Sequence, residues 1–286
     1  MTRRARRALV RAPSPRLADG LVTHIARSDS VDPDRALAQW RDYCSALSAA
    51  GFELVEVDPA PEHPDSVFIE DALVVVGDLA VVTAPGAPER RDEVIGARAA
   101  ARALGLEVVE LAAQDGSAKG EPARDEPARD EPAGGEPGEP VHLDGGDVLK
   151  VGSAVYVGVG GRTTQAGVQA LARAVAGTDH TVEPVPISST LHLKSQVTAL
   201  PDGTVVGFPD LVDQVSAWPR FLAVPEPEGA HVVVLADDTV LMSDAAPRSA
   251  DLFRSRGLSV IEVDVSEFVK LEGCVTCLSV RQHPFD

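Results

Sequence analysis

The stretch "KLEGCVTCLSV", residues 270–280, places two of the chain's three cysteines, Cys274 and Cys277, at C-x-x-C spacing. Three chemistries use such a pair: half of a zinc site, a redox couple, or one catalytic thiolate beside an incidental neighbour. A structural zinc site wants four ligands, and the chain has no second C-x-x-C and no H-x-x-x-H. A thioredoxin-like couple opens a helix after a strand near the N-terminus. Here the pair lies inside a β-rich run near the C-terminus. On a strand, residues three apart point to opposite faces, so a disulfide between them is geometrically poor.

A catalytic thiolate needs an acid–base partner, usually histidine, and the histidine needs an orienting carboxylate. Candidates occur in "DSVFIEDA", "HLDGGDV" and "LHLKSQV". Extra carboxylates would repel the oxyanion of an acyl transfer. They make sense if the electrophile is a cation. A guanidinium is planar, always charged, and offers N–H donors in a fork that matches carboxylate oxygens. Acids around a Cys–His pair therefore point to attack on a guanidinium carbon. The bound cation would in turn favour thiolate over thiol.

These motifs are far apart in sequence, so elements must gather them. Paired β-rich runs surround tight turns in "ALVVVGDLAVVT", "DVLKVGSAVYVGV", "SQVTALPDGTVVGF" and "HVVVLADDTVLMS". A helical stretch follows most pairs, as in "PERRDEVIGARAAARALG" and "TTQAGVQALARAVAG", and then a further strand such as "LEVVEL", "TVEPVPI" or "LSVIEVDV". The unit strand–strand–helix–strand recurs every ~40–50 residues, which signals a repeat architecture. The N-terminal part, with "RALVRAP", "PDRALAQWRDYCSALSAAG" and "FELVEVD", lacks an opening strand, and "GCVTCLSV" is read as one strand with no helix after it. If the last strand completes the first unit, about five units close around an axis. The chemical motifs stand at the unit starts and would converge there.

At 286 residues the chain suits one domain, 1–286, with an α/β core. The segment 113–142 repeats EPARD, carries eight acids against three bases, and cannot bury enough apolar area to order itself; it is read as a disordered surface loop. The net charge of −18 works against nucleic-acid binding and favours cationic small molecules. No apolar run approaches a membrane span of about 20 residues. The basic N-terminus "MTRRARRALVRAPSP" lacks a signal peptide's apolar stretch, and three cysteines make no disulfide framework, so a cytoplasmic protein is expected.

The ordered set "PDSVFIEDA", "TAPGAPERR", "LDGGDV", "GGRTTQ", "LHLKS" and "EGCVTCLSV" resembles the dimethylarginine dimethylaminohydrolases of the guanidine-modifying (pentein) superfamily, from about residue 8 to 281. The resemblance implies a five-bladed α/β-propeller of ββαβ-type modules with pseudo-fivefold symmetry, acting as a monomer or homodimer on a small molecule without cofactor or metal. It implies Cys277 as nucleophile, His192 as general acid and base, and Asp144 as the carboxylate orienting His192. Glu70 and Asp71 would grip the guanidinium. Asp65, Arg90 and Arg162 would bind the amino-acid end. Glu272, where relatives carry Asp, would join the guanidinium contacts, and residues 17–30 would form a lid. Cys274 is then packing, and Cys44 core. The implied reaction turns methylated arginines into citrulline and an alkylamine through a covalent S-alkylthiouronium. Alternatives are an arginine deiminase, whose pattern puts Asp where this chain has Lys194, an amidinotransferase, and a non-catalytic binding propeller.

Overall fold

The computed structural model describes residues 6–27, 30–111 and 138–282; most of the low-complexity segment, 113–137, lies outside the described residues. Its far end is built into the protein, with Val141 buried.

Five three-stranded sheets follow one another around a ring. The first blade holds β1 (Arg7–Val10), α1 (Pro33–Ala49) and β2 (Glu53–Glu56). The second holds β3 (Leu73–Val76), β4 (Leu79–Val82), α2 (Val94–Ala103) and β5 (Glu107–Glu110), and the third β6 (Val148–Val151), β7 (Ala154–Val159), α3 (Gln165–Val175) and β8 (Thr181–Pro186). The fourth has β9 (Val197–Ala199), β10 (Val205–Gly207) and β11 (Phe221–Ala223); the fifth has β12 (Val232–Ala236), β13 (Thr239–Ser243), α4 (Pro247–Ser255) and β14 (Ser259–Val263). After α5 (Ser266–Val269), the last strand β15 (Val280–Gln282) pairs antiparallel with β1 and completes the first blade.

In blades two to five the first two strands form a hairpin and the third runs parallel to the second, the arrangement a crossover requires. Gly77 and Gly152 take left-handed φ of 59° at two hairpin turns, where a side chain would be strained. Helix α1 starts where Asp32 accepts from the amides of Asp34 and Arg35, with Pro33 at the first position. Blade four has no helix. Its crossover carries Pro209 and Pro219 and makes single 3₁₀ turns instead, with Trp218 buried edge-on against Tyr156.

The core is a ring of five wedges, each between neighbouring blades. Leu9 and Val280 of blade one pack with Ile69, Val75 and Ala97 of blade two. Val74 and Val81 meet Val148 and Leu171, Leu149 meets Val197 and Val205, and Val206 meets Val240 and Phe253. Val233 and Leu241 of blade five then pack with Tyr43 and Leu47 of α1, which closes the circle. The inner strands β15, β3, β6, β9 and β12 line a central channel of about 550 Å³.

Candidate active site

Each inner strand is preceded by a tight turn, and the chemical residues sit at the turns of the first four blades. Glu70 and Asp71 lie on the 3₁₀ turn Ile69–Ala72 before β3. Asp144 precedes the turn Gly145–Asp147 before β6, and His192 precedes the turn Leu193–Ser195 before β9. Cys277 lies in a turn before β15. This corrects the expectation of one strand through "GCVTCLSV": only Val280–Gln282 is strand, and the Cys277 amide donates to the Cys274 carbonyl at 3.2 Å.

The turns are bonded to one another. The Glu70 amide donates to the Cys277 carbonyl at 3.2 Å, the Gly146 amide to Asp71 Oδ1 at 2.8 Å, and the Leu193 amide to Asp147 Oδ1 at 2.9 Å. Such close approach needs the glycines of "DGGD". A Cβ on Gly146 would come within 2.6 Å of both Asp71 Oδ1 and His192 Nδ1, and one on Gly145 would collide with the Glu70 carbonyl.

His192 is buried, with Nε2 3.0 Å from Asp144 Oδ2 and Nδ1 3.8 Å from Asp71 Oδ1. Burial disfavours its charge, but Asp71, Asp147 and Asp144 outweigh that and raise its pKa to about 9. Asp71 is held down to about 2: burial opposes this, while His192, Arg90 and the Gly146 amide overcome it. Burial pushes Asp147 up to about 6, although it faces His192 and accepts from Thr163 Oγ1 at 2.6 Å. Cys277 is held well above the ordinary thiol value, first by the hydrogen bond it shares with Cys274, then by burial, the charge on Cys274, Glu70 and Asp71.

Cys277, His192, Asp71, Asp65, Arg90, Arg162 and Glu272 all line one small cavity of about 20 Å³. Four of the expected residues have further commitments. Glu70 does not line this cavity; its carboxylate faces the central channel, 2.6 Å from Lys194 Nζ and accepting from Thr276 Oγ1 at 2.9 Å. Arg90 is buried and its donors go to Asp71, Glu93 and the carbonyls of Asp65 and Phe68. Asp65 accepts from the Leu21 amide at 3.2 and 3.1 Å. Glu272, at a left-handed φ of 63°, accepts from the amides of Thr23, His24 and Ile25 at 2.8, 2.6 and 3.1 Å. The described part of the expected lid, 17–27 and 30, is thus tied down over the cavity by Asp65 and Glu272. Arg162 keeps the loosest tie, 3.8 Å from Asp144 Oδ2.

Sequence reasoning passed over Asp147 and Thr163. The Thr163 hydroxyl donates to Asp147 and accepts from the Asp144 amide at 3.1 Å, so the pair fixes both the acid and the histidine loop. The second aspartate of "DGGD" was the available signal. Asp71, Asp144 and His192 converge closely enough to hold a cation. Both oxygens of each carboxylate already face a nitrogen: Gly146 and Arg90 for Asp71, Gly86 and His192 for Asp144. A metal would have to displace those bonds.

The arginine deiminase family model matches residues 130–222. An N(G),N(G)-dimethylarginine dimethylaminohydrolase of Streptomyces coelicolor is 50% identical over 277 residues, 97% of each chain. The enzyme so named from Pseudomonas aeruginosa is 27% identical, over 96% of this chain and 98% of its own. A solved structure of a Pseudomonas aeruginosa enzyme, a Cys-to-Ser variant complexed with citrulline, superposes with a TM-score of 0.80 at 24% identity, covering 96% of this chain and 98% of that one. The substrate-bound N-terminal domain of a cyanobacterial arginine dihydrolase gives 0.79 at 20% identity, covering 97% and 98%. At these identities the two structural matches speak for the fold.

Proposed function

The chain belongs to the dimethylarginine dimethylaminohydrolase family of the pentein superfamily and is a hydrolase of methylated arginines, and we propose that Cys277, His192 and Asp144 carry out the hydrolysis. One observation supports this most: turns from three blades bring the Cys277 thiol, the His192 imidazole and the buried Asp71 carboxylate to line a single cavity, and Asp144, at the turn of a fourth, holds the imidazole from behind at 3.0 Å.

Before substrate binds, the proton of Cys277 is held first by the hydrogen bond shared with Cys274, then by burial and the surrounding negative charge, and His192 is charged. A guanidinium entering beside Asp71 offsets that negative field and releases the thiolate. The thiolate attacks the guanidinium carbon to give a tetrahedral adduct. His192 gives its proton to the departing dimethylamine or methylamine, and an S-alkylthiouronium remains on Cys277. The imidazole then takes a proton from water, which adds to the same carbon; collapse restores the sulfur and frees citrulline. Asp144 fixes the ring through Nε2, which leaves Nδ1 on the side of Asp71 for proton transfer. Arg162 is the arginine best placed for the substrate carboxylate, since the donors of Arg90 are spent inside the protein. Glu70 acts from below: through Thr276 it holds the turn that carries Cys277.

A cavity of about 20 Å³ cannot admit an arginine side chain. Segment 20–27 must therefore lift for substrate to enter and close again to exclude water. The deciding assay is incubation with asymmetric dimethylarginine and, separately, arginine, with citrulline and released amine measured. Citrulline with stoichiometric dimethylamine is expected. Turnover of arginine in preference would make the chain a deiminase, and no citrulline from either would leave a binding propeller.

A further inference from the structure

Cys274 has no part in this mechanism, yet its Sγ lies 3.4 Å from Sγ of Cys277. The turn explains the closeness. The bond from the Cys277 amide to the Cys274 carbonyl folds residues 274–277 so that the first and last side chains share a face. On a strand they would have diverged. Cys274 is buried, whereas Cys277 lines the substrate cavity. The remaining thiol, Cys44, is buried in α1.

We infer that Cys277 and Cys274 form a reversible disulfide when the empty enzyme meets a hydroperoxide, with Cys277 the peroxide-reactive sulfur and Cys274 the resolving one. The sulfurs need to close from 3.4 Å to a bond of about 2.05 Å, within reach of side-chain rotation in a C-x-x-C turn. Cys277 passes the proton of the shared hydrogen bond to Cys274 Sγ, 3.4 Å away, and the thiolate so formed attacks one peroxide oxygen. The S–O bond forms, the O–O bond breaks, and the leaving hydroxide takes that proton back from Cys274 to become water. The Cys274 thiolate then attacks the sulfenic sulfur. The S–S bond forms, the S–O bond breaks, and a second hydroxide leaves as water. Two thiols and one peroxide give one disulfide and two waters, so the sulfurs lose two electrons and the peroxide gains them.

The surroundings divide the two roles. Cys274 is held well below the ordinary thiol value, chiefly by the hydrogen bond from Cys277, with burial opposing and His231 and Thr276 assisting. The resolving sulfur thus accepts the hydrogen bond from Cys277, lies beside the site where the sulfenic acid would form, and is placed to take the proton as Cys277 attacks. The bond stops the nucleophile at a state that dithiols reverse, short of sulfinic acid, which they do not.

The test uses the full chain, exposed to hydrogen peroxide, blocked with iodoacetamide and cut with trypsin without reduction. Both cysteines fall in the peptide Leu271–Arg281, and Cys44 lies elsewhere. The peptide should appear unalkylated and about 2 Da lighter, at the rate at which activity is lost, and dithiothreitol should restore both. Cys274→Ala and Cys274→Ser, each judged against its own untreated activity, should instead gain about 32 Da on that peptide as sulfinic acid and stay inactive after reduction. A wild-type peptide that only gains oxygen, or a bond to Cys44, overturns the inference. Loss of activity through the bond rests on Cys277 being the nucleophile, but the mass shift does not. A disulfide in a protein whose activity is unchanged would refute the nucleophile and keep the disulfide.

Discussion

His192 sits among Asp71, Asp144 and Asp147, and the sign of its charge follows from that company. Its pKa rises from about 6.5 unfolded to about 9 folded, so it stabilises the fold fully below pH 6.5 and loses that contribution as pH rises through 9. The contribution is on the order of 3 kcal/mol. Thermal melts from pH 7 to 10 should therefore fall more steeply for the wild type than for His192→Gln; superimposed profiles would mean that the imidazole is neutral in the fold. The same substitution should lower citrulline formation by roughly 10²–10⁴-fold. At Cys277 the shared bond with Cys274 is the largest cause of the raised pKa. Alkylation of Cys277 by iodoacetamide, followed on its peptide, should have a midpoint above pH 9.0, and Cys274→Ala should bring it down toward that value. A midpoint unmoved by the substitution would show that the two sulfurs do not share a proton. At this scale the sequence marked Cys277, His192 and Asp144 through their motifs. The commitments of Glu70 and Glu272 were hidden, because the partners of Glu70 lie in other blades and those of Glu272 in a segment 247 to 249 residues away; those of Arg90 lie within its own blade, but include two backbone carbonyls that no side-chain pattern reveals.

Elements decide whether those side chains meet at all. The stretch "GCVTCLSV" is rich in residues that favour strands, yet four of its inner positions form a turn because Cys277 must join the ring of turns at Glu70. Tertiary bonding overrode propensity there. The same ring explains the two glycines of "DGGD". Gly146→Ala would push a methyl against Asp71 and His192 and should cost about 1–3 kcal/mol, with activity lost further than stability. Segment 20–27 was legible only as a loose likeness, since its anchoring bonds run from backbone amides that no side-chain pattern reveals. Three amides on one buried carboxylate make Glu272 the latch. Glu272→Ala should speed hydrogen exchange at residues 23–25 and raise KM by roughly tenfold, the equivalent of losing one such charge-assisted bond. Unchanged exchange at those amides would show that Asp65 alone holds the segment.

The molecule as a whole is a ring closed by its own C-terminus. The fivefold plan could be read from repeating hairpins and helices, and so could the assignment of the last strand to the first blade. What the repeat did not reveal was blade four, where two prolines replace the helix and Trp218 fills the space. Closure matters because each core wedge lies between two blades, so opening the ring at one joint exposes the apolar faces on both sides of it. At the joint formed by β15, Val280 is buried against blade two, and Gln282 Nε2 donates to the Gly77 carbonyl at 3.1 Å. Truncation after Ser279 removes that strand, leaves β1 an unpaired edge, and frees the turn that carries Cys277 from its downstream anchor. Every proposed catalytic side chain survives the cut, so a purely local site would keep its activity. If the ring positions the site, the truncated protein should melt well below the full chain in one broadened transition and should form citrulline at a small fraction of the full-length rate even at temperatures where it remains folded. A truncated chain with full activity at those temperatures would place the positioning of Cys277 in the turn alone and not in the closure of the propeller.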